Sequence, residues 1–427
     1  MSLAPTEAIA PARRIPARRL AAFLGPGYLV AVGYMDPGNW ATSIAAGSAF
    51  GYQLLFVVVA SSLMAILFQS LCARLGLGAG MDLAQACRRH YSARASFGLW
   101  LLAEVAIIAC DLAELIGAAV ALKLLFGLPL VVGMLLTALD VFILLYLFDR
   151  GVRTLEAVTL GLVLLIGACF AYNLALAQPE FSALMHGLLP TSQAFSDQTM
   201  LWLSVGIVGA TVMPHNLYLH SSLVRTREVG RSTAARRNGI ACATVDSSLA
   251  LVLALFINAS ILVLSAATFN ARGLTEVAEL GQAHELMAPL LGGSGAAVAF
   301  AVALLASGFA STVTATLAGQ VVMEGFLERR LPPWIRRFAT RCIAILPALF
   351  ITLWYGESAT ASLLIASQVV LSLQLPFALV PLVRFTTSKP VMGELAAPRW
   401  LALAAWACCI LIVGLNLTML LSLLFSH

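Results

Sequence analysis

The chain has 427 residues, 61% of them hydrophobic and only 11% charged, with a mean hydropathy of +0.94. Soluble domains carry roughly a quarter charged residues, so this composition excludes a protein that presents a polar surface to water on every side. The formal net charge of +5 does not point to nucleic acid, because the basic residues gather in short segments between apolar runs, the pattern of the positive-inside rule.

The predicted elements begin with an arm, residues 1–19, holding Arg13, Arg14, Arg18 and Arg19. No small-residue cleavage site follows, so it reads as a cytoplasmic arm leading into the first span and not as a signal peptide. The remainder, 20–427, reads as a single all-α transmembrane domain. Apolar runs of bilayer-crossing length predict eleven spans, at roughly 20–48, 52–75, 98–126, 131–149, 154–177, 199–225, 240–267, 288–325, 335–355, 358–384 and 400–425. With the N-terminus inside, 23 of the 25 Lys and Arg fall on the cytoplasmic side, all but Lys123 and Arg272. A miscounted span would invert every later loop and scramble that bias. The acidic residues Glu180, Asp197, Glu276, Glu279 and Glu357 fall mainly on the other side. The eight cysteines form no CxxC pair, and Cys110, Cys169, Cys242, Cys408 and Cys409 lie inside apolar stretches. They read as small core hydrophobes.

Two spans carry helix-breaking chemistry at membrane depth. The first holds Gly33-Tyr34-Met35-Asp36-Pro37-Gly38-Asn39, and the sixth holds Ala210-Thr211-Val212-Met213-Pro214-His215-Asn216. Proline removes a backbone donor and clashes with the preceding turn, and glycine adds backbone freedom. Freed carbonyls persist in a bilayer only where they line a cavity or bind something. The breaks head two units of five spans, about 20–177 and about 199–384, with an extra helix at about 400–425. Paired interruptions in two halves mark a binding site at the midplane; a simple proline kink is the competing reading of either break alone.

Asp36 offers a carboxylate, Asn39 an amide oxygen and Met213 a thioether, and the breaks free carbonyls such as those of Gly33 and Ala210. The half-helix C-termini before each break carry partial negative charge, which favours a cation. Mg²⁺ and Ca²⁺ take all-oxygen shells, whereas a sulfur donor shifts preference toward first-row transition metals. Packing is the ordinary role of a membrane methionine, and only its position in a broken backbone sets Met213 apart.

Asp36-Pro37-Gly38-Asn39 together with Met213-Pro214-His215 resembles the signature pair of the Nramp (natural resistance-associated macrophage protein) metal transporters. Gly25-Pro26-Gly27, Gly209-Ala210-Thr211 and Gln368-Val369-Val370-Leu371-Ser372-Leu373-Gln374 fit the same pattern. The resemblance covers essentially the whole chain. It implies a LeuT-type fold of two inverted five-helix repeats plus an eleventh helix, importing Mn²⁺, Fe²⁺ and related ions with protons by alternating access. By motif position it implies metal binding by Asp36, Asn39, Met213 and the carbonyls of Gly33 and Ala210, with Gln368 joining in some states. Gly33 departs from the alanine usual in the family, which predicts a looser backbone there.

A proton route is expected from span three, where Glu104, Asp111 and Glu114 fall within about 80° of one another on one helix face. Such a face is costly in a membrane unless it is wet or paired. His215 and His220 titrate near neutrality in the ordinary case, and Arg227 and Arg341 are the expected counter-charges. The expected order is from Asp36 through His215, Glu104, Asp111 and Glu114 to Arg227; a static salt-bridge staple is the competing reading. Asp82, Asp149 and Glu156 read as solvated or capping groups near loops, and Asp246 and Asn258 of span seven as lining or inter-helix residues. No cofactor, nucleic acid or obligatory protein partner is expected, and the predicted location is the plasma (inner) membrane. Three rivals stay open: an Nramp-related magnesium transporter, a sodium-coupled small-solute symporter of the same fold, and an intramembrane metalloprotease. Against the last, no HExxH or GxSxG set is present.

Overall fold

The computed structural model describes residues 25–425, except 138, 141, 142, 144, 145, 148, 149, 228, 330, 331, 357 and 358. The basic arm, Asp149, Arg330 and Glu357 therefore lie outside the described residues.

The first span is two helices and a joint. Helix α1 (Pro26–Ala31) runs into a 3-10 turn (Val32–Met35), Asp36 is extended, and α2 (Pro37–Phe50) begins with proline at its first position. Pro37 starts the second half-helix because a first-turn residue needs no backbone N–H. Next come α3 (Leu55–Gly78), α4 (Leu83–His90) and α5 (Ala93–Phe126). Asp82 opens α4 through a capping box with Gln85, Ser92 caps α5, and Gly127 ends α5 in the left-handed conformation (φ 69°). After α6 (Leu130–Thr137) and α7 (Val152–Ala177), the sixth span is again divided, into α8 (Gln198–Val212) and α9 (Pro214–Leu223). The later helices are α10 (Thr233–Thr268), α11 (Leu280–Leu291), α12 (Ser294–Leu327), α13 (Pro333–Tyr355), α14 (Ala359–Thr387) and α15 (Arg399–Phe425).

Among the described residues, nine helical segments are long and apolar enough to cross a membrane. They match the expected second, third and fifth to eleventh spans. The first expected span is the broken pair, and the fourth runs partly outside the described residues. The eighth boundary is corrected: residues 288–291 end a separate helix, α11, and the span proper starts at Ser294. Gly292 in the left-handed conformation (φ 81°) makes the turn between them, a stop signal that apolar character alone hides.

The broken spans lie at the centre. In the most apolar window of the sixth span 94% of residues are buried, against 22% for α7 and 28% for each of α13 and α15. Those outer helices expose Leu346, Leu353, Trp354, Leu403 and Ile410, the dress of a lipid-facing surface. Small residues let the centre close. A Cβ on Gly117 would stand 2.1 Å from the Pro37 side chain, and one on Gly209 would stand 2.0 Å from the Gln368 carbonyl. Backbones in membranes approach this closely only across small residues.

Gly117→Val is expected to drive α5 off Pro37. Overpacking costs about 1–3 kcal/mol, so thermal unfolding in detergent should show a melting temperature lowered by several degrees, with loss of a monodisperse elution peak.

Candidate metal site between two broken helices

Each break is built by local chemistry. Asp36 (ψ 160°) leaves the helical conformation and its carboxylate accepts the Asn39 N–H at 3.0 Å, capping α2. Met213 has φ 39° and ψ 103°, a left-handed conformation rare for a non-glycine residue. It links the last turn of α8, through its N–H to Gly209 O (3.3 Å), to Pro214 at the head of α9. The carbonyls freed by the first break are largely taken up by side chains. Tyr34 O accepts from Asn39 Nδ2 (2.6 Å) and Asn258 Nδ2 (2.7 Å). Met35 O accepts from Trp40 Nε1 (3.1 Å) and from the Ser307 hydroxyl.

The breaks meet. Asn39 Nδ2 is 3.4 Å from Ala210 O, Gln368 Nε2 is 3.4 Å from Asp36 Oδ2, and Asn216 Nδ2 is 3.4 Å from the Met213 sulfur. All of these side chains are buried. Among the described residues, Gln368 Oε1, Asn216 Oδ1 and Thr211 Oγ1 are buried oxygens without a hydrogen-bond partner. Gly33 lies in the 3-10 turn, where a Cβ would meet Asn216 Nδ2 at 2.6 Å and Thr314 Oγ1 at 2.9 Å. The missing methyl thus lets two polar side chains press against the turn. Among the described residues no group of three His, Cys, Asp or Glu side chains is placed to hold a metal ion, so an ion held here relies on one carboxylate with neutral oxygens and sulfur.

The natural resistance-associated macrophage protein-like (Nramp) family model matches residues 27–422. The chain belongs to the Nramp family. It is 58% identical over 402 residues to the divalent metal cation transporter MntH of Xanthomonas campestris pv. campestris, covering 94% of this chain and 90% of that protein. It is 55% identical over 409 residues to the MntH of a Nostoc species, with coverages of 96% and 92%. A solved manganese transporter of Eremococcus coleocola, in complex with an aromatic bis-isothiourea substituted compound, superposes with a TM-score of 0.87. It is 40% identical, over 96% of this chain and 88% of that one. Mhp1, a nucleobase-cation-symport-1 family transporter, shares the fold at 16% identity with a TM-score of 0.62, over 95% of this chain and 91% of its own. The architecture is thus the LeuT type, two inverted five-helix repeats plus an eleventh helix.

Around the site of this Nramp chain the acids of α5 are paired, mostly by α13. Glu104 binds Arg336 (2.8 Å) and Trp100 Nε1 (3.2 Å). Asp111 binds the Arg337 guanidinium, and its carbonyl accepts from Arg341 Nη1 at 3.0 Å. Glu114 lies 3.2 Å from Arg337 and accepts the Thr312 hydroxyl at 3.0 Å. His215 Nε2 lies 3.8 Å from Cys110 Sγ, which is 3.6 Å from Glu114 Oε1. A thiol read from the sequence as core packing therefore stands between the histidine and the acid row.

Two members of the expected route stand elsewhere. His220 Nδ1 is 2.7 Å from Gln69 Oε1, and Gln69 also donates to the Tyr34 hydroxyl, so His220 points to α3. Five residues from His215, it occupies a different helix face. Arg227 pairs with Glu156 at 2.5 Å, beside Gly25 at the start of α1. Glu156, expected to be solvated, is buried and also paired with Arg153. Asp82 does cap a helix and adds an ion pair to Arg225 at 3.2 Å.

Asp246 accepts the N–H groups of Gly27 (2.7 Å) and Gly25 (3.2 Å), holding the first turn of α1 to α10. Asn258 serves the same broken span through Tyr34 O. Sequence reasoning missed Asn216, Gln69, Arg336, Arg337 and Asp140. Asn216 adjoins the second motif, and Arg336 and Arg337 were visible only as loop-end arginines.

Hydrogen bonds to a charged acceptor are worth about 1.5–3 kcal/mol. Asp246→Ala is therefore expected to speed amide hydrogen exchange over residues 25–31 by about tenfold or more while leaving α12 unchanged.

Proposed function

We propose that this protein imports divalent transition metal ions such as Mn²⁺ and Fe²⁺, with protons, by alternating access across the plasma membrane, its N-terminus on the cytoplasmic side. The observation that carries this reading is the convergence of Asp36, Asn39, Gln368, the Ala210 carbonyl and the Met213 region from two broken helices in the buried centre. Its relatives' description as divalent metal cation transporters supports it.

The donor set accounts for selectivity. Mg²⁺ dehydrates reluctantly and demands oxygen ligands in near-octahedral geometry; a thioether gives it nothing in exchange for a lost water. A softer transition metal gains from sulfur. The single carboxylate of Asp36 supplies attraction without locking the ion in place, as release requires.

The two ends of the bundle differ. At the Lys123 end a cavity of about 460 Å³ is lined by residues that include Lys123, Glu279, Gln282, Glu285 and Leu364. Leu364 is one helical turn from Gln368, so this cavity is the entrance in our reading. The arginine-rich end carries the contacts of Asp246 with α1, Arg227 with Glu156 and Arg225 with Asp82, which close it in our reading. Inward release then needs α1 to leave α10, a rocking of one broken half-helix about the site. The proton shed when a cation meets Asp36 leaves by His215, Cys110 and Glu114 toward the α13 arginines.

The test is Mn²⁺ uptake into proteoliposomes under an inward proton gradient. Wild-type uptake is expected to persist in excess Mg²⁺, and Met213→Ala uptake to become Mg²⁺-sensitive. Wild-type uptake abolished by Mg²⁺ would instead identify a magnesium transporter.

A further inference from the structure

The acid row of α5 is not the whole of the charged cage. Asp140, three residues past α6 in the fourth span, binds the Arg341 guanidinium and lies 3.4 Å from Arg337. Asp111, Glu114 and Asp140 thus share two guanidiniums, those of Arg337 and Arg341. Among the described residues, three carboxylates against two cations leave one surplus negative charge. Including the neighbouring Glu104–Arg336 pair does not change the surplus. Among the described residues the other polar groups around the cage are Thr312 of α12, Thr340 of α13 and, beyond Cys110, His215 of α9 and Asp36; none of them carries a fixed positive charge.

A net charge at membrane depth is expensive, and binding a proton is the cheapest way to remove it. The cage is also incompletely bonded. Asp111 Oδ2, Asp140 Oδ1 and the Nε atoms of Arg337 and Arg341 are buried without a hydrogen-bond partner among the described residues. Polar atoms in that state in a bilayer are satisfied by water, and water is what a moving proton needs. Asp140 is also the least buried carboxylate of the cage: its side chain is 13% exposed, against 0% for Asp111 and Glu114.

We infer that Asp140 is a proton-handling residue, the third carboxylate of a five-membered cage that holds one exchangeable proton and passes it onward. This rests on the proton-coupled reading above. The step is a proton transfer between carboxylates or through water, with no other bond made or broken.

The test compares Mn²⁺ uptake and Mn²⁺-driven lumenal acidification in the same proteoliposomes across external pH. Removing a carboxylate weakens the hold on the proton, and removing a guanidinium strengthens it. Asp140→Asn is expected to move the pH midpoint of uptake to the acid side by about one unit or more, and to lower the ratio of protons to metal several-fold. Arg341→Gln is expected to move the midpoint to the alkaline side, and Asp140→Glu to restore the wild-type ratio. If Asp140→Asn does not fold, the direction of the Arg341→Gln shift and the Asp140→Glu ratio decide. An unchanged midpoint and ratio, with uptake and acidification falling together, would mean that Asp140 is only structural and would overturn the inference alone. A wild type that takes up Mn²⁺ without acidifying the lumen would overturn the proton-coupled reading, and the inference with it.

Discussion

A peptide group released from a helix inside a bilayer has no water to turn to, and the centre of this molecule is arranged around that constraint. Breaking the first span after Met35 frees carbonyls that must be bonded, and Asn39, Asn258, Trp40 and Ser307 come from three helices to bond them. The helices are thereby tied together through their weakest points. What is left over is Asp36 with the neighbouring amides, carbonyls and sulfur, the donor set on which the proposed cation site rests.

The same low dielectric explains the company the acids keep. A lone carboxylate at this depth would be strongly disfavoured in its charged form, and each acid of α5 has a guanidinium from α13 within ion-pair distance. Removing one partner of such a buried pair typically costs about 3–5 kcal/mol, because the other charge is stranded. A network of this kind ties α5 to α13 through charge. Cys110 lies between His215 and Glu114 and connects the network to the second break.

The polar contacts divide unequally between the ends of the bundle. Around Lys123 the groups Glu279, Gln282 and Glu285 border open space, whereas around Gly25 the carboxylate of Asp246 is spent on backbone N–H groups. Two amides at the start of a half-helix, where the helix dipole is positive, form a natural seat for an anion. Here that seat is taken by a side chain of α10, so the first turn of α1 is bonded as well as packed against its neighbour.

Much of this was legible in the linear chain. Hydropathy located the spans, and proline beside Asp36 and beside Met213 marked both breaks, because each signal is local or periodic. Locality also explains the failures. The start of the eighth span was misjudged because α11 is apolar on its own account, and only its turn at Gly292 separates it from α12. Arg227 and Arg341 looked alike as arginines near span ends, yet one meets Glu156 and the other Asp140. By itself the sequence determined which residues could break a helix, carry a charge or offer sulfur. Which carboxylate meets which guanidinium, and which amide faces which carbonyl, was decided only by the tertiary structure, because those pairs join residues up to 232 positions apart and helix packing alone sets their meeting.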